Sequence, residues 1–177
     1  RLAKRFDTMQ LSLSVRIAEE FLSKEKASMP LTELASLAKR CGYEALCMRA
    51  SQVGVHSAPE EVERAVECLA DSGLAVSMIT GDFDTVYNNE NGPSALRNIS
   101  PYLHLAKRLG APRIRVALKQ ESDIEFARRA ADEAAEQDVQ LVHQCHTLSL
   151  FETVESIEKT LRSIDRPNFG LVYEPSN

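Results

Sequence analysis

The chain contains no tryptophan and only seven glycines in 177 residues. None of these glycines forms a G-x-G-x-x-G or P-loop pattern, the usual phosphate cradles of nucleotide-binding sheets. The four cysteines, Cys41, Cys47, Cys68 and Cys145, include no C-x-x-C pair, so the common thiol redox and zinc spacings are missing. No apolar run approaches the roughly 18 residues of a membrane span, and no membrane partner is expected. Lys and Arg form no tract and the net charge is −5. A nucleic-acid surface, which needs clustered cations, is therefore not expected either. The basic N-terminus Arg1–Phe6 is not followed by an apolar segment, so no signal peptide is read. The cysteines fall largely in apolar helix or strand patterns. The expectation is buried free thiols in a reducing cytoplasm.

Hydrophobic residues make up 44% and charged residues 27% of the chain, which suits one soluble domain over 1–177. A single pattern repeats: a short β-branched or apolar run, a polar loop, an amphipathic helix, and usually a glycine. Strands are expected near Leu11–Ile17, Ala45–Met48, Ala75–Ile79, Arg113–Ala117, Val139–Val142 and Gly170–Tyr173. Their starts lie 26 to 38 residues apart, the length of a βαβ unit. Leu31, Leu34, Ala35, Ala38 and Cys41 share one helical face after Pro30. Val62, Ala65, Val66 and Leu69 share another, behind a Ser57/Glu60 capping box. A third helical region around Leu96, Ile99, Leu103 and Ala106 must kink or restart at Pro101. A fourth opens at Ser122 and buries Ala127, Ala130, Ala131 and Ala134. The fifth carries Leu150, Val154, Ile157, Leu161 and Ile164. Gly42, Gly73 and Gly110 stand where helix C-caps are wanted.

Strands alternating with helices give an α/β fold with a mostly parallel sheet. Two architectures compete. Length favours a doubly wound sheet, because a complete (β/α) barrel needs about 250 residues. The residues at the strand ends favour the barrel. Alternation sends neighbouring side chains to opposite faces. If the apolar sets pack on helices, Arg16, Arg49 and Arg115 point inward near the C-terminal strand ends, where barrel enzymes build their sites. Inward charges need a partner or a ligand. The alternatives are an anionic or polyhydroxylated small molecule, or carboxylates and carbonyls at the rim. Replacing Arg49 or Arg115 with Met is expected to weaken anion binding far more than fold stability.

The segment Val142-His143-Gln144-Cys145-His146, followed by Phe151-Glu152-Thr153, resembles the fifth-strand region of the xylose isomerase-like superfamily. Gly170-Leu171-Val172-Tyr173-Glu174-Pro175-Ser176-Asn177 resembles its sixth-strand region, and Leu105–Ala111 is similar to the approach to its fourth strand. The resemblance implies a TIM-type barrel represented by about six of eight βα units, with the C-terminal part missing. Exposed edge strands would then need covering, a homo-oligomer being one way. The superfamily includes sugar-phosphate isomerases and epimerases, dehydratases and endonucleases. Its divalent metal is held by a Glu ending strand five, an Asp ending strand six, and a His and a Glu from strands seven and eight.

By that resemblance Gln144 takes the place of the Glu, and Glu174 that of the Asp. The expected metal ligands are Glu174 and Gln144, for Mn, Mg, Co or Zn. Glu174 and His146 are the expected catalytic residues. Arg49, Arg115, Arg16, His56 and Asn177 are expected to bind substrate. The implied function is a metal-dependent sugar or sugar-phosphate isomerase/epimerase. The alternatives are a lyase or dehydratase on the same scaffold, and a barrel without turnover. His104 and His143 read as a surface and a packing residue. The acidic loop Asp82–Glu90 has two readings, a cover over the pocket or, by default, a solvated loop.

Overall fold

A computed structural model describes residues 9–21, 23, 25–80 and 93–174. The strands are β1 (Ser12–Ser14), β2 (Ala45–Met48), β3 (Ala75–Thr80), β4 (Arg113–Val116), β5 (Gln140–Gln144) and β6 (Phe169–Val172). A 3-10 turn, Val15–Ala18, follows β1. The helices are α1 (Leu31–Arg40), α2 (Pro59–Ser72), α3 (Ser94–Arg97), α4 (Ser100–Leu109), α5 (Asp123–Ala135) and α6 (Val154–Ile164).

All neighbouring strands pair in parallel, and their order across the sheet is β1-β2-β3-β4-β5-β6. A doubly wound sheet reverses strand order at a switch point; no reversal occurs here. Right-handed crossovers taken always in one direction put every helix on one face, which is barrel geometry. Burial shows the same asymmetry. On the outer face Leu46, Met48, Ile79, Ile114 and Leu141 are sealed beneath Leu34, Leu96, Leu103, Phe151 and Ile164. The opposite face of the sheet carries Ser12, Arg113 and Gln140, all exposed. The sheet is thus an apolar wall outside, while its concave face mixes polar side chains with small or apolar ones such as Ala45 and Val142.

Local chemistry explains the boundaries. Pro101 sits in the first turn of α4, so the chain restarts there after α3 rather than kinking. Gly73 and Gly110 close α2 and α4 at φ +61° and +65°, the left-handed conformation a glycine adopts without strain.

Several sequence expectations need correction. The first strand does not reach Ile17. The Ser14 hydroxyl accepts the Arg16 N–H and opens the 3-10 turn, leaving Ile17 72% exposed. The cap of α2 is made not by Glu60 but by Glu61, whose carboxylate accepts the Ala58 N–H at 2.9 Å. Ser122 makes no side-chain cap for α5. Leu150 precedes α6, which Thr153 caps through the Ser156 N–H. Cys41 is exposed and the other three cysteines are half-buried, all as free thiols. Among the described residues no helix is long and apolar enough to cross a membrane. Arg1–Phe6, Asp82–Glu90 and Asn177 lie outside the described residues.

Candidate functional site

The register places polar side chains in a row at the C-terminal ends of β4, β5 and β6. Arg115 is opposite Val142, and Gln144 is opposite Val172. Each strand therefore advances the inward-facing polar position by one pleat, and Glu174 continues the stagger just past β6. The Arg115 Nη1 donates to the Gln144 Oε1, and the Gln144 Nε2 donates to the Glu174 Oε2. All three residues are half-buried. The amide orientation follows from chemistry. A guanidinium only donates and a carboxylate only accepts, so the carboxamide must turn its oxygen to Arg115 and its nitrogen to Glu174.

The main chain of β5 holds this row from behind. His143, on the outer face and 3% exposed, stacks on Phe151 with ring centroids 4.1 Å apart and planes 7° apart. Its Nδ1–H donates to the Gln144 carbonyl at 2.6 Å. His143 is thus the packing residue the alternation implied.

His146 lies in the loop after β5, on the same side as Glu174. The loop is tied to itself. The His146 N–H donates to the Phe151 carbonyl at 3.1 Å. The Ser149 hydroxyl donates to the His146 carbonyl at 2.7 Å, and the His146 Nδ1–H to the Thr147 carbonyl at 2.9 Å. Within it Leu148 adopts φ +57°, and its N–H donates to the Glu152 carboxylate at 3.0 Å.

Arg49 directly follows β2 and is 7% exposed. Its Nε donates to the Glu19 Oε1 at 2.6 Å, and both side chains are equally buried. The Ser51 hydroxyl donates to the same oxygen at 3.0 Å. Glu19 is held by a small antiparallel bridge to Ala27. Arg49 is therefore anchored by a rim carboxylate, one of the two outcomes the alternation allowed. Arg16 stands exposed on the 3-10 turn rather than inward from a strand. His56 is exposed in the loop after β2, as expected. His104 sits on the surface of α4 with its Nδ1–H on the Ser100 carbonyl.

Sequence reasoning missed three polar residues around the mouth. Glu19 and Ser51 are two. The third is Asp123, fully buried at the start of α5, which accepts the Lys119 and Gln120 N–H groups at 2.8 and 3.0 Å. This draws in the loop after β4, and burial pushes the Lys119 ammonium below the usual lysine range while the Asp123 charge opposes the shift. An acidic residue opening a helix was a readable signal. Farther down the concave face the Ser12 and Ser77 hydroxyls meet at 2.7 Å across Ala45, whose side chain is small enough to leave the space.

The geometry also tests the expected metal ligands. Gln144 and Glu174 do converge, as adjacent strand ends require. However, the Gln144 oxygen already faces a guanidinium, and its nitrogen occupies one Glu174 oxygen. A carboxamide oxygen committed to a cation, beside a carboxylate committed to the same amide, does not fit a hard divalent ion. Among the described residues no group of three or more His, Cys, Asp or Glu side chains is placed to hold a metal.

No protein-family model and no curated protein matches the chain. Solved structures do. The chain is similar to the probable 3-DHS dehydratase AsbF, involved in petrobactin synthesis, from Bacillus anthracis. The TM-score is 0.71 at 18% identity, covering 93% of this chain and 62% of that one. The fold is that of the xylose isomerase-like barrels. A xylose isomerase-like TIM barrel protein from Mycobacterium smegmatis, in complex with magnesium, matches with a TM-score of 0.64 and 18% identity. It covers 79% of this chain and 54% of that one. A D-allulose 3-epimerase from Methylomonas sp. matches at 0.65 and 12% identity, covering 93% and 62%. The chain thus spans less than two thirds of the length of each of these three structures.

Proposed function

We propose that this site transfers a proton at the carbon beside a carbonyl in a small polyhydroxylated substrate, a sugar or sugar phosphate. The observation that carries the reading is the Arg115–Gln144–Glu174 row at the C-terminal strand ends, where barrels of this fold place their chemistry. Solved structures of the same fold include an epimerase and a probable dehydratase, which supports proton chemistry of this class. Glu174 is the base: its carboxylate takes the proton, and the C–H electron pair becomes the C=C of an enediolate. Arg115 faces the oxygen on which charge develops. His146, in the loop above, positions a substrate hydroxyl or relays a proton. Arg49 frames the β2 side of the mouth, Arg16 and His56 line its rim, and Asn177 binds substrate beyond β6.

A second reading rests on Gln144. A carboxamide cannot act as a base, so the row holds one carboxylate. One base suffices for isomerisation on a single face or for loss of water, whereas inversion by two bases needs a partner for Glu174. Product analysis separates the readings. Incubation with D-fructose and D-allulose, followed by NMR, is expected to show isomeric sugars. A new carbon–carbon double bond would favour the dehydratase. No conversion of any sugar or sugar phosphate in a broad panel would remove both.

A further inference from the structure

We infer that the Arg115 guanidinium takes the electrostatic place of a divalent metal at this mouth, so that the proton transfer proposed above, on which this inference rests, proceeds without one. Three observations carry it. First, the hydrogen-bond direction along the row is fixed by donor and acceptor chemistry: Arg115 to Gln144, and Gln144 to Glu174. The one oxygen of Gln144 that could ligate a cation already faces a cation.

Second, a cation already stands at this point of the mouth: the Arg115 guanidinium and the Glu174 carboxylate are joined through a neutral amide that both polarise. Adding a dication between them would place like charges within hydrogen-bonding distance, which is unfavourable in a half-buried site. Third, the row is built rather than incidental. Arg115 alternates with Ile114 and Val116, which are sealed on the helix side, so its side chain is committed to the concave face. Gln144 is braced through its carbonyl by the buried, stacked His143.

The chemistry balances. Glu174 removes a proton from carbon, the C–H pair becomes the C=C of the enediolate, and the carbonyl π pair moves to oxygen. There the planar guanidinium donates hydrogen bonds to the new charge, as a polarising metal otherwise would. Glu174 then returns the proton to the neighbouring carbon, the C=C pair forms that new C–H bond, and the hydroxyl proton on the second carbon passes to the first oxygen as the second carbon–oxygen bond becomes the isomeric carbonyl. No oxidant, reductant or further reactant is consumed.

Manganese titration followed by electron paramagnetic resonance tests this on the full-length protein, with Arg115→Met, Gln144→Glu and Glu174→Gln variants checked for folding by circular dichroism. The wild type is expected to bind Mn²⁺ weakly. Either Arg115→Met, which frees the Gln144 oxygen, or Gln144→Glu, which adds a charge, should tighten binding by at least about tenfold, since ligand charge count sets affinity for hard cations. Having both variants keeps the test open if one misfolds. Tight wild-type binding that Glu174→Gln abolishes would overturn the inference, as would affinity left unchanged in both tightening variants. Deuterium uptake into substrate adds a second arm. Uptake that persists in EDTA supports the inference, and uptake lost in EDTA and restored by Mn²⁺ overturns it. Absence of uptake under every metal condition would instead be a failure of the proton-transfer reading itself.

Discussion

The two inward arginines differ at the residue scale. Arg115 is half-buried and donates to the Gln144 carboxamide. Its replacement by Met should weaken an anionic ligand by roughly 1–3 kcal/mol, the scale of a charged hydrogen bond, with little change in unfolding. Arg49 does not follow the expectation drawn for both. It neutralises a carboxylate as buried as itself. Arg49→Met would strand the Glu19 charge and should destabilise by about 3–5 kcal/mol in urea unfolding. Arg49→Met with Glu19→Leu should recover most of that loss, because the pair is then replaced rather than broken. A double variant as unstable as the single one would refute this account of the ion pair. Leu148 offers a different test. It is 76% exposed at φ +57°, a backbone conformation that costs an L-residue roughly 1–2 kcal/mol and that Asn tolerates better. Leu148→Asn should therefore leave the melting temperature unchanged or raise it.

Contacts among elements decide how rigidly the mouth is held. Phe151 is fully buried, stacked on His143 and in contact with Phe169, so it joins β5, β6 and the loop that carries His146. Phe151→Ala should cost about 3–5 kcal/mol by opening a cavity there. The NMR signals of His146 should broaden in that variant as its loop loses the anchor. α5 and the loop after α6 are joined by a bidentate Arg166–Asp132 pair, with Nη2 to Oδ2 at 3.0 Å. The Arg166 guanidinium holds the Asp132 carboxyl below the usual carboxylate range. A carboxyl whose folded value is depressed stabilises the protein above its unfolded value and loses that contribution as pH falls through the folded one. Acid unfolding of Asp132→Asn should therefore fall less steeply below about pH 4, the ordinary aspartate range. The difference should shrink in salt, since the pair is exposed.

Over the whole molecule, the repeat was legible because each βα unit writes the same signal: apolar run, amphipathic helix, glycine. The β2 limits, Ala45–Met48, agree with those read from sequence because polar residues and the turn at Gly42 bound the run sharply. β1 was overextended because its apolar alternation continues to Ile17, whereas the Ser14 hydroxyl turns the chain first. The choice between barrel and doubly wound sheet was not legible from length. It depends on strand order, which involves contacts between units rather than patterns within them. At the site, the shared facing of Arg115, Gln144 and Glu174 could be read from alternation. Which oxygen faces which nitrogen could not, because that depends on three residues meeting from three strands. Glu19 was invisible for the same reason: its partner Arg49 comes from the end of another βα unit, and nothing in its own segment marks it. The central claim is that this mouth moves a proton beside a carbonyl with Glu174 as base. Deuterium incorporation into a turned-over sugar or sugar phosphate, followed by proton NMR in D₂O, tests it most directly. Wild-type protein should exchange the proton at the carbon next to the carbonyl, and Glu174→Gln should slow exchange by about 10²–10⁴-fold, the usual share of a positioned base. Exchange at the wild-type rate in Glu174→Gln would contradict the account.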